Sequence, residues 1–267
     1  MPSDFSSTLD ASRLRAHLGD DAQAFLLDLR DTCPSTNAEL LSQPPAVPAG
    51  VTPVLACNRQ SAGRGRRGRA WLAWPEASLT FSARWQFPVG APAPAGLSLV
   101  AGIAVARVLE EIGVAGVALK WPNDIQVDGR KLGGILVELS GGRALAAVVG
   151  IGLNRSFPPG ASVPGRADVV ALDQLLDAPP EREQLLAALL RSQRALFATY
   201  ASAGFPAFVG AWNQRNAHAG LPVRVSDDHA ELSGICLGVD TDGALLLRTE
   251  AGERRVLAGD VSLRGVS

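Results

Sequence analysis

The chain has 267 residues, an apolar fraction of 47% and a formal charge of −1. That length supports one large domain with a small companion, and the apolar content supports a full core. Charge so near balance excludes a general binder of nucleic acid or of acidic membranes.

Met1 to Leu18 mixes polar and charged residues without an apolar run, so no signal peptide is expected. No 18-residue apolar stretch suggests a membrane span. Cys33, Cys57 and Cys236 are widely spaced and form no C-x-x-C pair, which reads as a reduced, cytoplasmic protein. His17, His218 and His229 fall in no metal-ligating or Ser-His-Asp motif. Any chemistry is therefore expected from arginine, lysine, carboxylates and backbone amides.

In chain order, Asp10 to Leu18 predicts a short amphipathic helix with Leu14 and Leu18 on one face. Phe25 to Arg30 predicts a strand. Ser35, Thr36 and Asn37 are N-cap residues for a helix through Leu41. They serve either as a plain cap or as hydrogen-bonding partners of a polar ligand head. Gln43 to Pro53 predicts a loop, and Val54 to Cys57 a buried strand.

That strand delivers the chain to Gln60 and to Gly63-Arg64-Gly65-Arg66-Arg67-Gly68-Arg69-Ala70-Trp71. Five arginines fall between Arg59 and Arg69, with no acidic residue among them. Glycines admit close backbone approach, and arginine forks match phosphate or carboxylate oxygens in pairs. The segment satisfies G-x-G-x-x-G, but Pro75 interrupts the next few residues before a dinucleotide-type helix can form. An anion-binding loop is expected, with a solvated basic loop as the plain alternative.

Ser78 to Trp85 alternates, with Leu79, Phe81, Ala83 and Trp85 opposite Ser78, Thr80, Ser82 and Arg84. Pro88 to Pro94 reads as a loop. Gly96 to Ile112 is apolar nearly all round, so a buried helix is expected. Val117 to Leu119 and Ile125 to Val127 read as strands, with a hairpin at Asp128-Gly129 and a return strand from Lys131 to Leu139. A second hairpin at Ser140-Gly141-Gly142-Arg143 leads to Ala146 through Asn154. Phe157 to Gly165 reads as a loop, and Glu181 to Tyr200 as a helix. Five short strands between Leu221 and Leu263, with turns at Asp227-Asp228, Asp242-Gly243 and Ala251-Gly252, predict a small barrel.

Four segments stand out together: the arginine loop with Trp71, Lys120-Trp121-Pro122-Asn123-Asp124, Lys131-Leu132-Gly133-Gly134-Ile135-Leu136-Val137-Glu138, and Gly150-Ile151-Gly152-Leu153-Asn154. In order and spacing they resemble bacterial biotin protein ligases, from about residue 10 to the C-terminal barrel. The resemblance implies an α+β fold. A catalytic domain with a mixed sheet, similar to class II aminoacyl-tRNA synthetases and lipoate ligases, would span residues 1–217. An SH3-like β-barrel would span 218–267. It also implies two half-reactions. Biotin and ATP, with Mg²⁺, give biotinyl-5'-AMP. A lysine of the biotin carboxyl carrier domain of acetyl-CoA carboxylase then takes the biotinyl group.

At matching positions the resemblance gives catalytic roles to Lys131, Arg66 and Asp124. It gives biotin contacts to Ser35, Thr36, Asn37, Gln60, Arg64, Gly65, Arg66 and Lys131. Arg66, Arg69, Trp71, Asn123, Asp124 and Asn154 fall on the nucleotide side. Lys131, at a strand start beside a turn, reads as exposed. No protein-bound structural metal, no specific DNA and no membrane are expected, and the protein is expected to be a monomer or weak homodimer. Repressor-type members carry an N-terminal winged helix-turn-helix, for which the 34 residues before Ser35 leave no room. Thr80 stands where some relatives have a tyrosine beside biotin, and Val169 where some place a tryptophan against adenine. The alternatives are a lipoate or octanoate ligase on the same fold, which the arginine loop argues against, and a non-catalytic biotin-binding or biotin-responsive regulator.

Overall fold

The computed structural model describes residues 9–87, 94–140, 146–158, 160, 168–226, 231–257 and 262–265, the last four by backbone alone. The turns expected at Ser140-Gly141-Gly142-Arg143 and Asp227-Asp228, and the loops over 88–94 and 157–165, lie wholly or partly outside these residues. In chain order the elements are α1 (Ala11–Leu18), β1 (Phe25–Cys33), α2 (Thr36–Ser42), β2 (Thr52–Gln60), β3 (Ser78–Gln86), α3 (Leu97–Glu111), β4 (Val117–Lys120), β5 (Asp124–Val127), β6 (Arg130–Ser140) and β7 (Ala146–Asn154). They continue as α4 (Arg182–Ala203), α5 (Val209–Asn213), β8 (Pro222–Ser226), β9 (Glu231–Val239), β10 (Leu245–Thr249), β11 (Gly252–Val256) and β12 (Ser262–Gly265). Seven strands form one sheet in the order β1-β2-β3-β7-β6-β5-β4, and the remaining five form a second sheet.

The chain divides into two compact units, Met1–Val89 with Leu132–Arg191, and Gly90–Lys131 with Ser192–Ser267. In the first, β1 and β2 run parallel while β3, β7 and β6 pair antiparallel, so the sheet is mixed. The Asp10 carboxylate caps α1, accepting from the Ser12 and Arg13 amides at 2.7 and 3.0 Å. Leu14 and Leu18 turn inward one helical turn apart. β2 carries a run of apolar residues from Pro53 to Cys57 and is buried on both faces, as a central strand must be.

β3 alternates in chemistry but not in burial. Ser78, Thr80 and Ser82 are as covered as Leu79 and Phe81. The cover on the polar face comes from α2, whose Leu40 packs with Leu55 and Val148.

In the second unit, α3 is apolar almost all round and almost wholly buried. It starts at Gly96 in the left-handed region, φ 72°, where a Cβ would fall 2.5 Å from the Phe205 ring. The β5–β6 turn uses Asp128 and Gly129 at φ 50° and 73°, the two left-handed residues that a tight hairpin demands. The Trp121 indole is fully buried and donates to the Gly243 carbonyl at 3.0 Å. The second sheet is antiparallel, ordered β11-β10-β9-β8-β12, and is SH3-like. β10 and β11 stay paired up to the turn, where Gly252 faces Thr249. α5 and the 3₁₀ turn at Phe205–Phe208 were not anticipated. At five and four residues they are too short to show helical periodicity.

Candidate functional site

The polar face of β3 continues across its neighbours. Register pairs Ser82 with Gly150 and Gly150 with Leu136; it pairs Thr80 with Gly152 and Gly152 with Gly134. The middle of the sheet therefore presents hydroxyls on β3 and glycines on β7, with a further glycine, Gly134, on β6 in the Thr80 row. The glycines are sterically required. A Cβ at Gly150 would lie 2.2 Å from Asn37 Oδ1, and one at Gly152 would lie 2.3 Å from the Trp71 ring. This glycine floor lets α2 and the arginine loop lie directly on the sheet.

Over the floor, the α2 N-terminus holds Ser35, Thr36 and Asn37, all at most 3% exposed. Ser35 Oγ accepts from the Ala38 amide at 3.5 Å, so the capping role is filled. Thr36 donates to Gln60 Oε1 through its amide at 2.8 Å and its hydroxyl at 3.2 Å. Ser82 Oγ lies 2.7 Å from Thr36 Oγ1 and 2.5 Å from Asn37 Oδ1, to which it donates. Asn37 Nδ2 donates to the Leu136 carbonyl at 3.2 Å and to Glu138 Oε2 at 2.9 Å. Asn37 is thus held on both sides of its amide and sets the frame of the cluster. Just upstream, a hydrogen bond with the Cys57 thiol, and then burial, push the Cys33 thiol up, so it offers no thiolate nucleophile.

The arginine loop is folded back on itself. Arg64 bridges Ala70, Trp71 N donates to the Gly63 carbonyl at 2.9 Å, and Gly65 N donates to the Arg69 carbonyl at 2.7 Å. A 3₁₀ turn at Arg66–Gly68 places Arg67 and Gly68 at φ 57° and 68°. Along the sequence this loop has no acidic neighbour. The fold supplies one: Arg64 Nη2 lies 3.3 Å from both carboxylate oxygens of Glu138. Glu138 therefore ties Arg64 and Asn37 to one carboxylate. Sequence reading included Glu138 in a motif but gave it no role. The available signal was a carboxylate at period two from Gly134, within the otherwise apolar run from Leu132 to Leu139.

Of the residues in the same unit that the resemblance puts on the nucleotide side, Asn154 ends β7 and donates to the Val170 carbonyl at 3.1 Å, next to Val169. Trp71 lies against Gly152, one sheet position from Asn154 on the same face. In the other unit, Asp124 opens β5, follows Asn123 and forms an ion pair with Lys131. The expectation of an exposed Lys131 is corrected here. Its side chain is 15% exposed and that of Asp124 18%. The hairpin at Asp128-Gly129 folds β6 back beside β5 and brings the two together. Among the described residues no group of three or more His, Cys, Asp or Glu side chains could hold a metal ion.

The Biotin/lipoate A/B protein ligase family profile matches residues 34–154, and the Biotin protein ligase C terminal domain profile matches 218–264. A biotin--[acetyl-CoA-carboxylase] ligase of Paracoccus denitrificans is 38% identical over 244 residues, 86% of this chain and 98% of that one. The bifunctional ligase/repressor BirA of Salmonella typhimurium is 35% identical over 264 residues, 96% of this chain and 78% of the relative. A solved biotin protein ligase from Aquifex aeolicus, in complex with biotin and ATP, is similar at TM-score 0.78 and 28% identity, covering 91% of this chain and all of that one. With likeness running nearly end to end along the Paracoccus ligase, and the glycine floor, capped helix and arginine loop in place, the chain belongs to the biotin protein ligase family.

Proposed function

We propose that this ligase joins biotin to ATP and passes the biotinyl group to a lysine of the biotin carboxyl carrier domain of acetyl-CoA carboxylase. What carries the reading is one cluster: Ser35, Thr36, Asn37, Gln60 and Ser82 linked over the glycine floor, with Glu138 tying them to Arg64. In the first step a biotin carboxylate oxygen attacks the α-phosphorus. The α–β phosphoanhydride bond breaks and pyrophosphate leaves with its electron pair. In the second, the lysine amine attacks the acyl carbon, loses a proton, and AMP leaves.

Both reactants of the first step are anionic, so fixed cations must offset their repulsion where charge develops. Lys131, steadied by Asp124, and Arg66 take that role. Ser35, Thr36, Gln60 and Gly65 form the biotin end with Arg64, while Asn37 frames it. Arg69, Trp71, Asn123 and Asn154 serve the nucleotide. Mg²⁺ keeps most of its waters and binds through phosphate oxygens with one or two carboxylates. The residues fit that arrangement. Asp124 would be its protein ligand, and the metal would neutralise phosphate charge when bound.

We assign catalysis to residues 1–217 and an accessory role to 218–267. We further propose a cytoplasmic protein, monomeric or weakly dimeric, that does not bind DNA specifically. A sequence-dependent mobility shift with biotin and ATP present would refute the last point. The decisive assay is transfer of labelled biotin to a carrier domain, with lipoate as competitor. Biotinylation that lipoate does not suppress is expected. Lipoyl transfer in its place, or biotin binding without pyrophosphate release, would refute the reading.

A further inference from the structure

Register fixes which β1 side chains face α2. Leu26, Asp28 and Arg30 sit opposite Pro53, Leu55 and Cys57, and Leu55 packs with Leu40 of α2. Alternate residues of a strand share a face, so Leu26, Asp28 and Arg30 lie on the helix side of the sheet. β1 is also the outermost strand, so the space between it and α2 opens at the sheet's edge. A cavity of about 330 Å³ lies there. Leu26, Pro53 and Leu55 line it from the strands, and Leu40, Gln43 and Pro45 from α2 and the residues after it. Leu26 is 42% exposed, an apolar side chain left open to solvent. Small-molecule sites range over roughly 300–1,000 Å³ and combine apolar walls with a few convergent polar groups.

Here the polar groups are gathered in one place. Asp28, Arg30 and Glu39 all line the cavity. Arg30 donates to Asp28 through Nε at 3.2 and 3.0 Å and through Nη2 at 2.7 Å, and to Glu39 Oε2 through Nη1 at 3.2 Å. Two carboxylates therefore share one guanidinium, which leaves a negative charge in excess. Among the described residues nothing donates to Glu39 Oε1, and a carboxylate oxygen has lone pairs for a further donor. An apolar cavity beside an unbalanced carboxylate selects an apolar body with a cationic head. An aliphatic acid would be repelled there, and an alcohol would leave the charge unanswered.

We propose that this cavity binds a primary aliphatic amine, its ammonium donating to Glu39 Oε1 and its chain lying on Leu26, Leu40 and Leu55, and that occupancy tightens biotin binding. The coupling rests on the biotin-ligase reading. Glu39 and Leu40 stand on the same short helix as Thr36 and Asn37. A ligand that fills the cavity fixes α2 against β1, so part of the ordering of Asn37 is complete before biotin arrives.

The test is calorimetric titration of the full chain with n-hexylamine, n-hexanol and hexanoate, followed by biotin titration with and without the amine. The amine should bind up to about fivefold more tightly than the alcohol, the range of a part-exposed ion pair, and hexanoate should bind most weakly. Saturating amine should raise biotin affinity about fivefold. Glu39→Gln should erase the preference for amine over alcohol. Leu26→Trp, at an exposed position, should fill the cavity and abolish binding of all three. No binding of the amine, equal binding of amine, alcohol and acid, or a preference that survives Glu39→Gln overturns the site. A dimer that must dissociate before the amine binds would seat a second copy on β1 and overturn it as well. Amine binding that leaves biotin affinity unchanged overturns the coupling. Wild type that binds no biotin overturns the parent reading instead, so the failures are distinguishable.

Discussion

Replacing Lys131 by alanine separates a structural role from a chemical one. Its ammonium and the Asp124 carboxylate are both more than four-fifths covered and paired with one another. Losing a preorganised donor to developing charge costs about 3–4 kcal/mol in the transition state, so adenylate formation should slow roughly 100-fold or more. The substitution also strands a carboxylate. Breaking a fully buried pair costs about 3–5 kcal/mol; water still reaches this one, which brings the expectation to about 1–2 kcal/mol. For a chain of this size that is a loss of roughly 2–6 °C in melting temperature. Adding Asp124→Asn neutralises the stranded charge. The double variant should therefore recover most of the stability and none of the rate. Biotin-dependent pyrophosphate release and thermal melts on the four proteins of the cycle give both numbers. If Lys131→Ala releases pyrophosphate at near-normal rate, or if the double variant regains activity, Lys131 serves only to balance Asp124 and the catalytic assignment is wrong.

Gly150→Ala would drive a methyl into Asn37 Oδ1, so biotin affinity should fall about tenfold with a stability loss of about 1–3 kcal/mol; calorimetric titration and melting check both. Gln193 is fully buried, and neither amide atom has a partner among the described residues. Gln193→Met should raise the melting temperature, and a decrease would contradict that account. Burial, and then the charge of Lys120, lower the His218 pKa below 6.5. The unfolded chain then binds more protons, so this contribution is full above pH 6.5 and is lost as pH falls through the folded value. His218→Asn should flatten that slope in melts run from about pH 5 to 8. Trypsin should cut between Arg64 and Arg69 quickly in the free protein, slowly with biotin, ATP and Mg²⁺, and at an intermediate rate with ATP alone. Equal rates would show that the loop is not closed by ligand.

Periodicity and turn chemistry made part of the fold legible in the sequence. Asp128-Gly129 announced the hairpin that sets β6 beside β5, and the alternation of Ser78 to Trp85 announced the strand that carries Ser82 and Thr80. Both depend on neighbours two to four residues apart. The site was harder to read because its bonds are long-range. Asn37 meets Glu138 across 101 positions and Arg64 meets it across 74, so no window along the chain contains the pair. The exposed reading of Lys131 failed for a related reason: a lysine beside a turn is exposed by default, and only the β5 partner strand brings Asp124 to it.

The glycines show the limit most clearly. In sequence, Gly150 and Gly152 mark a weakened strand, since glycine packs nothing and is entropically costly there. In the fold they are the positions where Asn37 and Trp71 require the absence of a side chain. The same residue type that weakens the strand allows a helix N-terminus and a cationic loop to lie on the sheet's polar face. The local cost of those glycines and the presence of a binding surface therefore have one cause. That is why Gly150→Ala should damage ligand binding although it favours the strand.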